Sequence, residues 1–145
     1  MSRAERAKEY FLQGYNCSQA VALAFADLTD LDEKTLKKLT QPFGGGLGRL
    51  RLTCGAVSGM ATILGLISDD NATKSEVYAT TQALCKAFIE ENGSLICKDL
   101  LTGANLQVSV GGEAEKRTEE YYKKRPCSEI VYSAAKILEE YLNGR

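Results

Sequence analysis

The chain contains no histidine among its 145 residues. Without an imidazole, a Cys–His nucleophile, a histidine-ligated haem and a Cys₂His₂ zinc site are all excluded. A hydrolytic mechanism based on a thiol is therefore disfavoured. The sequence also has no Cys-x-x-Cys pair, so the motif that usually holds two redox thiols close together is missing.

A surplus of charge of one sign and a long apolar run are also absent. Lysine and arginine number 18 against 19 aspartates and glutamates, whereas nucleic-acid binding normally needs a basic surplus. The longest apolar run, residues 56–67, is interrupted by polar residues and glycine and is too short to cross a bilayer. The first ten residues are charged and have no secretory h-region. We therefore expect a cytoplasmic protein with no membrane span and no nucleic-acid partner.

What the chain does contain is five cysteines. Because the cytosol keeps thiols reduced, any disulfide there would be catalytic or a sensor. Four of the five fall where a helix is predicted to begin, and there the helix dipole and unpaired backbone N–H groups favour the thiolate. Cys85 lies in the middle of a predicted helix and is interpreted as a small packing residue. The four cysteines at predicted helix starts are Cys17, Cys54, Cys97 and Cys127.

Helical periodicity predicts an all-α protein, with residues 1–145 forming one domain of about six or seven packed helices. Gly14 is expected to end the first helix in a left-handed conformation, and Gly93 the long fifth one. Residues 102–120 are predicted to be a surface excursion, with an unpartnered strand-like alternation at 106–110 and a possible charged helix over 113–124. The predicted N-terminal caps, in chain order, are Asn16, Asp32, Thr53, Asn71 or Thr73, and Ser94.

A glycine-rich loop is predicted at residues 43–53, because Gly44, Gly45 and Gly46 each cost about 1 kcal/mol in a helix relative to alanine. We interpret the loop as crowding backbone N–H groups around Cys54, which follows it directly. The alternatives are a phosphate-binding loop and a plain solvated turn. The phosphate interpretation is weak because the strand and the Gly-Lys-Ser/Thr ending of a P-loop are missing.

Two further pairs of residues flank Cys54. Arg49 and Arg51 are expected to add positive potential that lowers the pKa of the Cys54 thiol. Gly55 and Gly59 lie four residues apart on the predicted fourth helix. In a protein without a membrane span, this spacing most simply lets a neighbouring backbone approach closely.

The ordered cysteine and glycine motifs carry a family resemblance. Residues 54–59 read Cys-Gly-Ala-Val-Ser-Gly and follow Phe-Gly-Gly-Gly at 43–46, with one cysteine upstream and two downstream. This arrangement resembles the C_GCAxxG_C_C family of redox-active proteins over nearly the whole chain. The resemblance implies an all-helical domain whose cysteines are redox-active or bind a cofactor, and an association with transporters. It does not supply a reaction.

Three functions are compatible with four thiols at helix starts. In the first, which needs no cofactor, Cys54 attacks a disulfide and Cys17, Cys97 or Cys127 resolves it, with an unknown redox partner. In the second, the four thiolates ligate an iron–sulfur cluster or a soft metal, although they are 37, 43 and 30 positions apart whereas such ligands usually come in close pairs. The third is a non-catalytic redox sensor or transporter accessory. The sequence leaves the oligomeric state open.

Overall fold

The computed structural model describes residues 1–144 and consists of helices joined by loops, of which the segment 104–118 is a long one. The predicted all-α, single-domain architecture is confirmed, with one α-helix more than the upper expected number. Within residues 1–144 there is no strand, and a single isolated bridge pairs Thr53 with Ile96. The eight helices are α1 (Arg3–Leu12), α2 (Cys17–Leu23), α3 (Glu33–Thr40), α4 (Gly55–Ile67), α5 (Lys74–Asn92), α6 (Cys97–Gly103), α7 (Glu119–Lys124) and α8 (Cys127–Asn143).

Three of the predicted N-terminal caps are confirmed. Asn16, Asp32 and Thr73 each accept a hydrogen bond from a backbone N–H in the first turn of the helix that follows. Asn16 and Thr73 form reciprocal capping boxes with Gln19 and Glu76, so two backbone donors are satisfied at each of these helix ends. The predicted left-handed residues Gly14 and Gly93 also have positive φ angles, of 106° and 97°.

The predicted caps Thr53 and Ser94 are wrong. Cys54 precedes α4 and Ile96 precedes α6, and neither of them caps its helix with a side-chain hydrogen bond. Thr53 is instead held in the bridge to Ile96, and the Ser94 hydroxyl accepts from the Ile96 N–H two residues ahead, outside the helix. The contact between these two distant segments therefore prevents Thr53 and Ser94 from capping the helices, although their residue types favour that role.

Helix α2 lies at the centre of the fold and packs against α1, α3, α4 and α8. Every residue of α2 after Cys17 is buried. Its close crossing with α4 depends on Gly59, because a Cβ there would lie 2.6 Å from the Ser18 carbonyl oxygen. A Cβ on Gly55 would lie 3.3 Å from that of Cys17. The predicted close approach at Gly55 and Gly59 is confirmed, and it places the N-termini of α2 and α4 side by side.

Helix α5 is the longest, at 19 residues, and carries Cys85 near its middle. Leu84 and Phe88 are buried, whereas Ile89 is 41% exposed. Cys85 is half-buried and packs against the core. Among residues 1–144 no helix, α5 included, has the length and apolar character needed to cross a membrane.

The segment 104–118 connects α6 to α7 without regular structure and is mostly exposed. The strand suggested at 106–110 is absent, and the charged helix suggested over 113–124 is limited to α7. This segment packs across the glycine-rich loop. Arg49 and Gly111 exchange two hydrogen bonds, one between their backbones at 2.9 Å and one from the Arg49 Nε at 3.0 Å. The segment thus closes one side of the site described next.

Candidate functional site

Four helix N-termini converge on one small cavity of about 70 Å³. The four cysteines that line it are separated by 37, 43 and 30 positions in the sequence, so the fold alone brings them together. Three are the first residues of α2, α6 and α8, and the fourth directly precedes α4. Cys85 does not line the cavity. The cysteines of the cavity are Cys17, Cys54, Cys97 and Cys127.

The isolated bridge positions two of these thiols. The Cys54 N–H donates to the Leu95 carbonyl at 2.7 Å, and the Cys97 N–H donates to the Leu52 carbonyl at 2.6 Å. Because these bonds run in antiparallel register, Cys54 and Cys97 are held at the same end of the molecule. Sequence reasoning missed this pairing, since a bridge of one residue pair is too short to produce an alternating pattern.

The glycine-rich loop winds in the left-handed sense. The five residues from Gly45 to Arg49 all have positive φ angles, between 56° and 76°, and Arg51 has one of 61°. A left-handed conformation costs about 1–2 kcal/mol for each non-glycine residue, and such strain concentrates at functional sites. A Cβ on Gly46 would lie 2.7 Å from that of Cys97. The loop therefore places its backbone against Cys97. The backbone N–H groups that favour the Cys54 thiolate are those of Ala56 and Val57 in α4, and not those of the loop, which the sequence had indicated.

The other end of the loop packs on the start of α2. A Cβ on Gly44 would lie 2.5 Å from the amide nitrogen of the Asn16 side chain, and that nitrogen also donates to the Gln41 carbonyl at 2.9 Å. Asn16 therefore caps α2 and anchors the loop at once. This double role fixes the position of Cys17 relative to the loop.

The expectation that Arg49 and Arg51 lower the pKa of Cys54 is wrong. Arg51 is 6% exposed and donates through a guanidinium nitrogen to the Cys97 sulfur at 3.6 Å. Arg49 donates to Ser109 and Gly111 instead. Burial raises the pKa of Cys54 from its ordinary value of 9.0 to about 12, and nearby backbone N–H groups oppose this rise only in part. Burial also raises the pKa of Cys97, against the effect of Arg51.

Cys17 and Cys127 form the pair in which a thiolate is favoured. The Cys17 thiol donates a hydrogen bond to the Cys127 sulfur, and this bond lowers the pKa of Cys127 to about 7. The charges of Arg125, Arg117 and Arg51 act in the same direction, whereas burial opposes it. The same hydrogen bond, together with burial, raises the pKa of Cys17 well above its ordinary value. Near neutral pH about half of the molecules therefore carry one thiol and one thiolate in this pair, and the other half carry two thiols.

Arg117 and Tyr121 form a wall of the cavity that sequence reasoning did not find. The Arg117 guanidinium lies 4.2 Å from the centre of the Phe11 ring and donates to the carbonyl oxygens of Phe11 and Tyr15, both at 2.9 Å. Tyr121 stacks on Phe11 with ring centroids 6.5 Å apart, and burial raises its pKa. Arg117 lies in a segment without periodicity, so no sequence pattern indicated its role.

The donor set does not fit a metal centre. The four cysteines share a cavity, yet in the part of the chain that the structure describes no three Cys, Asp or Glu side chains are placed to hold a metal ion. A cluster ligated by four cysteines requires all four sulfurs at bonding distance from it. The arrangement seen here is four thiols around one cavity, in which hydrogen bonding couples the pKa values of Cys17 and Cys127.

We expect the reduced protein to lose stability as the pH rises above 9. The unfolded Cys54 thiol ionises near pH 9.0, whereas burial raises the native pKa to about 12. This stabilising contribution is complete below pH 9 and is lost between the two pKa values, by about 1.4 kcal/mol per pH unit. Urea unfolding of the reduced protein at several pH values measures the slope.

The control for this prediction is Cys54→Ala, which removes the thiol that ionises late. The variant should lose less stability between about pH 9 and about pH 12 than the unchanged protein. Equal losses in the two proteins would show that the native Cys54 thiol ionises as easily as an unfolded one.

Comparison with known proteins supplies the family. A family model described as "Putative redox-active protein (C_GCAxxG_C_C)" matches residues 15–141. The chain belongs to the C_GCAxxG_C_C family. No curated protein and no solved structure matches it. The resemblance noted in the sequence is thereby confirmed, and the family name supports a redox-active cysteine protein without specifying its mechanism.

One detail of this C_GCAxxG_C_C protein differs from the one-letter motif in the family name. The name places glycine before cysteine, whereas this chain has Cys54 before Gly55. A side chain at position 55 is disfavoured here because a Cβ would lie 2.9 Å from the Phe43 carbonyl oxygen. The order Cys54-Gly55 thus places the thiol in the cavity and the glycine at the helix crossing.

Proposed function

We propose that this protein is a cytosolic thiol–disulfide oxidoreductase in which Cys127 is the attacking thiolate and Cys17 the resolving thiol. The proposal rests on the placement of Cys17 and Cys127 in one cavity with three arginines, where hydrogen bonding with Cys17 lowers the pKa of Cys127. The attacking group in thiol–disulfide exchange is the thiolate, and a thiol with a pKa near the ambient pH attacks best. Cys127 meets this condition, whereas burial disfavours the thiolate of Cys54.

The reaction proceeds in two exchanges. The Cys127 thiolate attacks one sulfur of a small disulfide, forming a mixed disulfide and releasing the first product as a thiolate. Cys17 then loses its proton to solvent and attacks the Cys127 sulfur, which releases the second thiolate. The substrate disulfide gains two electrons and the protein loses two, as its two cysteines become one disulfide. A dithiol reductant then reduces the Cys17–Cys127 disulfide by two further exchanges and becomes a disulfide itself, which restores the protein.

Mild oxidation of the reduced protein tests this assignment. We expect 2-hydroxyethyl disulfide, an uncharged oxidant, to lower the number of free thiols from five to three. Peptide mapping should then find one disulfide, between Cys17 and Cys127. The same result is expected for the Cys85→Ser variant, starting from four thiols.

Three outcomes would contradict the proposal. A disulfide between Cys54 and Cys97 would show that the exchange uses these two thiols, which the Thr53–Ile96 backbone bridge holds close together. Retention of all five thiols under conditions that oxidise a free dithiol would exclude the reaction. A sensor without turnover would form the Cys17–Cys127 disulfide but would not consume substrate when a dithiol reductant is supplied.

The other sequence-based hypotheses have no comparable support. A cluster or soft metal ligated by four cysteines does not fit the donor geometry of the described residues. The association with a transporter and the identity of the redox partner stay predictions.

A further inference from the structure

A second and larger cavity, of about 340 Å³, opens beside the thiol cavity. The two share part of their lining, including Arg51, Arg117, Arg125 and Tyr121. We call the larger one the outer cleft. Its volume lies in the range of sites that bind small molecules. A folded partner protein would have to insert its disulfide into the cleft, and the cleft is small for that. A ligand in the outer cleft would contact the same side chains that face Cys127.

The charge of the outer cleft is strongly unbalanced. Four arginines line it, and Glu115 is the one carboxylate among its described lining residues. Glu115 is paired with Arg125, with a nitrogen–oxygen distance of 2.7 Å. Three guanidinium charges are therefore left without a carboxylate among the residues that line the cleft. The arginines are Arg49, Arg51, Arg117 and Arg125.

Neutral groups hold these three arginines in place. Arg49 donates to Ser109 and Gly111, whereas Arg51 donates to Ser109 and Cys97. Arg117 donates to two backbone carbonyls and stacks on aromatic rings. Carbonyl oxygens and rings orient a guanidinium but do not neutralise its charge. Arg51 is almost completely buried, and the Cys127 thiolate in the adjoining cavity supplies one negative charge against several guanidinium charges, so a further anion in the cleft would stabilise them.

We infer that the outer cleft binds a small aliphatic disulfide bearing carboxylate groups and presents its sulfur–sulfur bond to Cys127. This inference rests on the proposed function. Guanidinium groups bind carboxylates through paired, charge-assisted hydrogen bonds, which would fix the orientation of the substrate as well as attract it. The positive potential would also stabilise the thiolate product that leaves Cys127.

The test compares three disulfides of similar size and different charge: 3,3′-dithiodipropionate as the dianion, 2-hydroxyethyl disulfide as the neutral compound and cystamine as the dication. The readout is the rate at which each oxidises the reduced protein at neutral pH and low salt. We expect the dianion to react at least about tenfold faster than the dication. This preference should fall sharply in about 0.5 M salt, where charges are screened.

Three variants test the role of the cleft. Arg49 suits this purpose because it lines the outer cleft but not the thiol cavity. Arg49→Gln should lower the ratio of the rate with the dianion to the rate with the neutral disulfide by about fivefold. Arg49→Lys, which keeps the charge, should retain most of the preference. Lys74→Gln, the same charge change at the exposed start of α5, should have no effect.

The outcomes separate this inference from the proposed function. If none of the three disulfides oxidises the protein, the proposed function fails. If all three react at equal rates, or if Arg49→Gln and Lys74→Gln behave alike, the function stands and the anion specificity of the cleft is overturned.

Discussion

Replacing Cys127 with serine should abolish disulfide exchange and remove the fast phase of thiol alkylation at pH 7. With a pKa of about 7, Cys127 is about half thiolate at that pH, whereas Cys54, with a pKa of about 12, is ionised in about one molecule in 100,000. The weaker nucleophilicity of the lower-pKa thiolate offsets part of this difference. Cys127 should still react roughly 300-fold faster than Cys54.

The remaining cysteines set the background for this experiment. The pKa values of Cys17, Cys85 and Cys97 are all raised above 9.0, which makes each at least roughly sixfold slower than Cys127 at pH 7. The other variants are therefore best made in a Cys85→Ser protein rather than in the unchanged one, because this substitution removes a half-buried thiol outside the cavity. In that background the alkylation rate should rise with pH around a midpoint of about 7.

Controls at the neighbouring thiols identify the source of the fast phase. Cys54→Ser should retain it. Cys17→Ala should shift the midpoint of the pH–rate profile upward, because alanine cannot donate the hydrogen bond that lowers the pKa of Cys127. Cys17→Ser keeps a donor and should shift the midpoint less. A fast phase that survives in Cys127→Ser and disappears in Cys54→Ser would return the attacking role to Cys54.

Replacing Gly59 with alanine should destabilise the protein by about 2–3 kcal/mol. The added methyl group would lie 2.6 Å from the Ser18 carbonyl oxygen and 3.2 Å from the Ser18 Cα. These are backbone atoms, so the contact can be relieved only by moving α2 away from α4. Such a movement would also separate the helix starts that carry Cys17 and Cys54. Urea unfolding of the reduced protein, with the midpoint and the m-value both fitted, measures the loss.

Gly65→Ala is the matched control on the same helix. A Cβ on Gly65 meets no atom within 4 Å, and the residue is exposed. The variant should be neutral or more stable by up to about 1 kcal/mol, since alanine favours helix over glycine. Similar free energies of unfolding for the two variants would mean that the crossing of α2 and α4 accommodates a methyl group.

Local chemistry made much of the fold predictable from the sequence. The caps at Asn16, Asp32 and Thr73 act within three residues, and so they could be recognised by residue type. The glycine spacing on α4 indicated a close crossing in the same way. Thr53 and Ser94 failed as caps because a backbone pairing between segments more than 40 residues apart took precedence.

The chemistry of the site could be predicted only in part. That four cysteines lie at helix starts followed from periodicity, but which two interact depends on the packing of α2 against α8. The pKa order also depends on burial, which outweighs the helix dipole at Cys54. Arg117 and Arg125 lie in or next to segments with weak patterns, so their effect on Cys127 became visible only in three dimensions.

The left-handed winding of residues 45–49 has a further consequence for where α4 can start. A right-handed helix grows by adding one residue at a time to its end, and it cannot grow through residues of the opposite hand. Neither the 3₁₀ turn Gln41–Phe43 before the loop nor α4 after it can therefore extend into the loop and fuse with the other. The loop therefore keeps Cys54 at a helix end, facing the cavity, rather than inside a longer continuous helix.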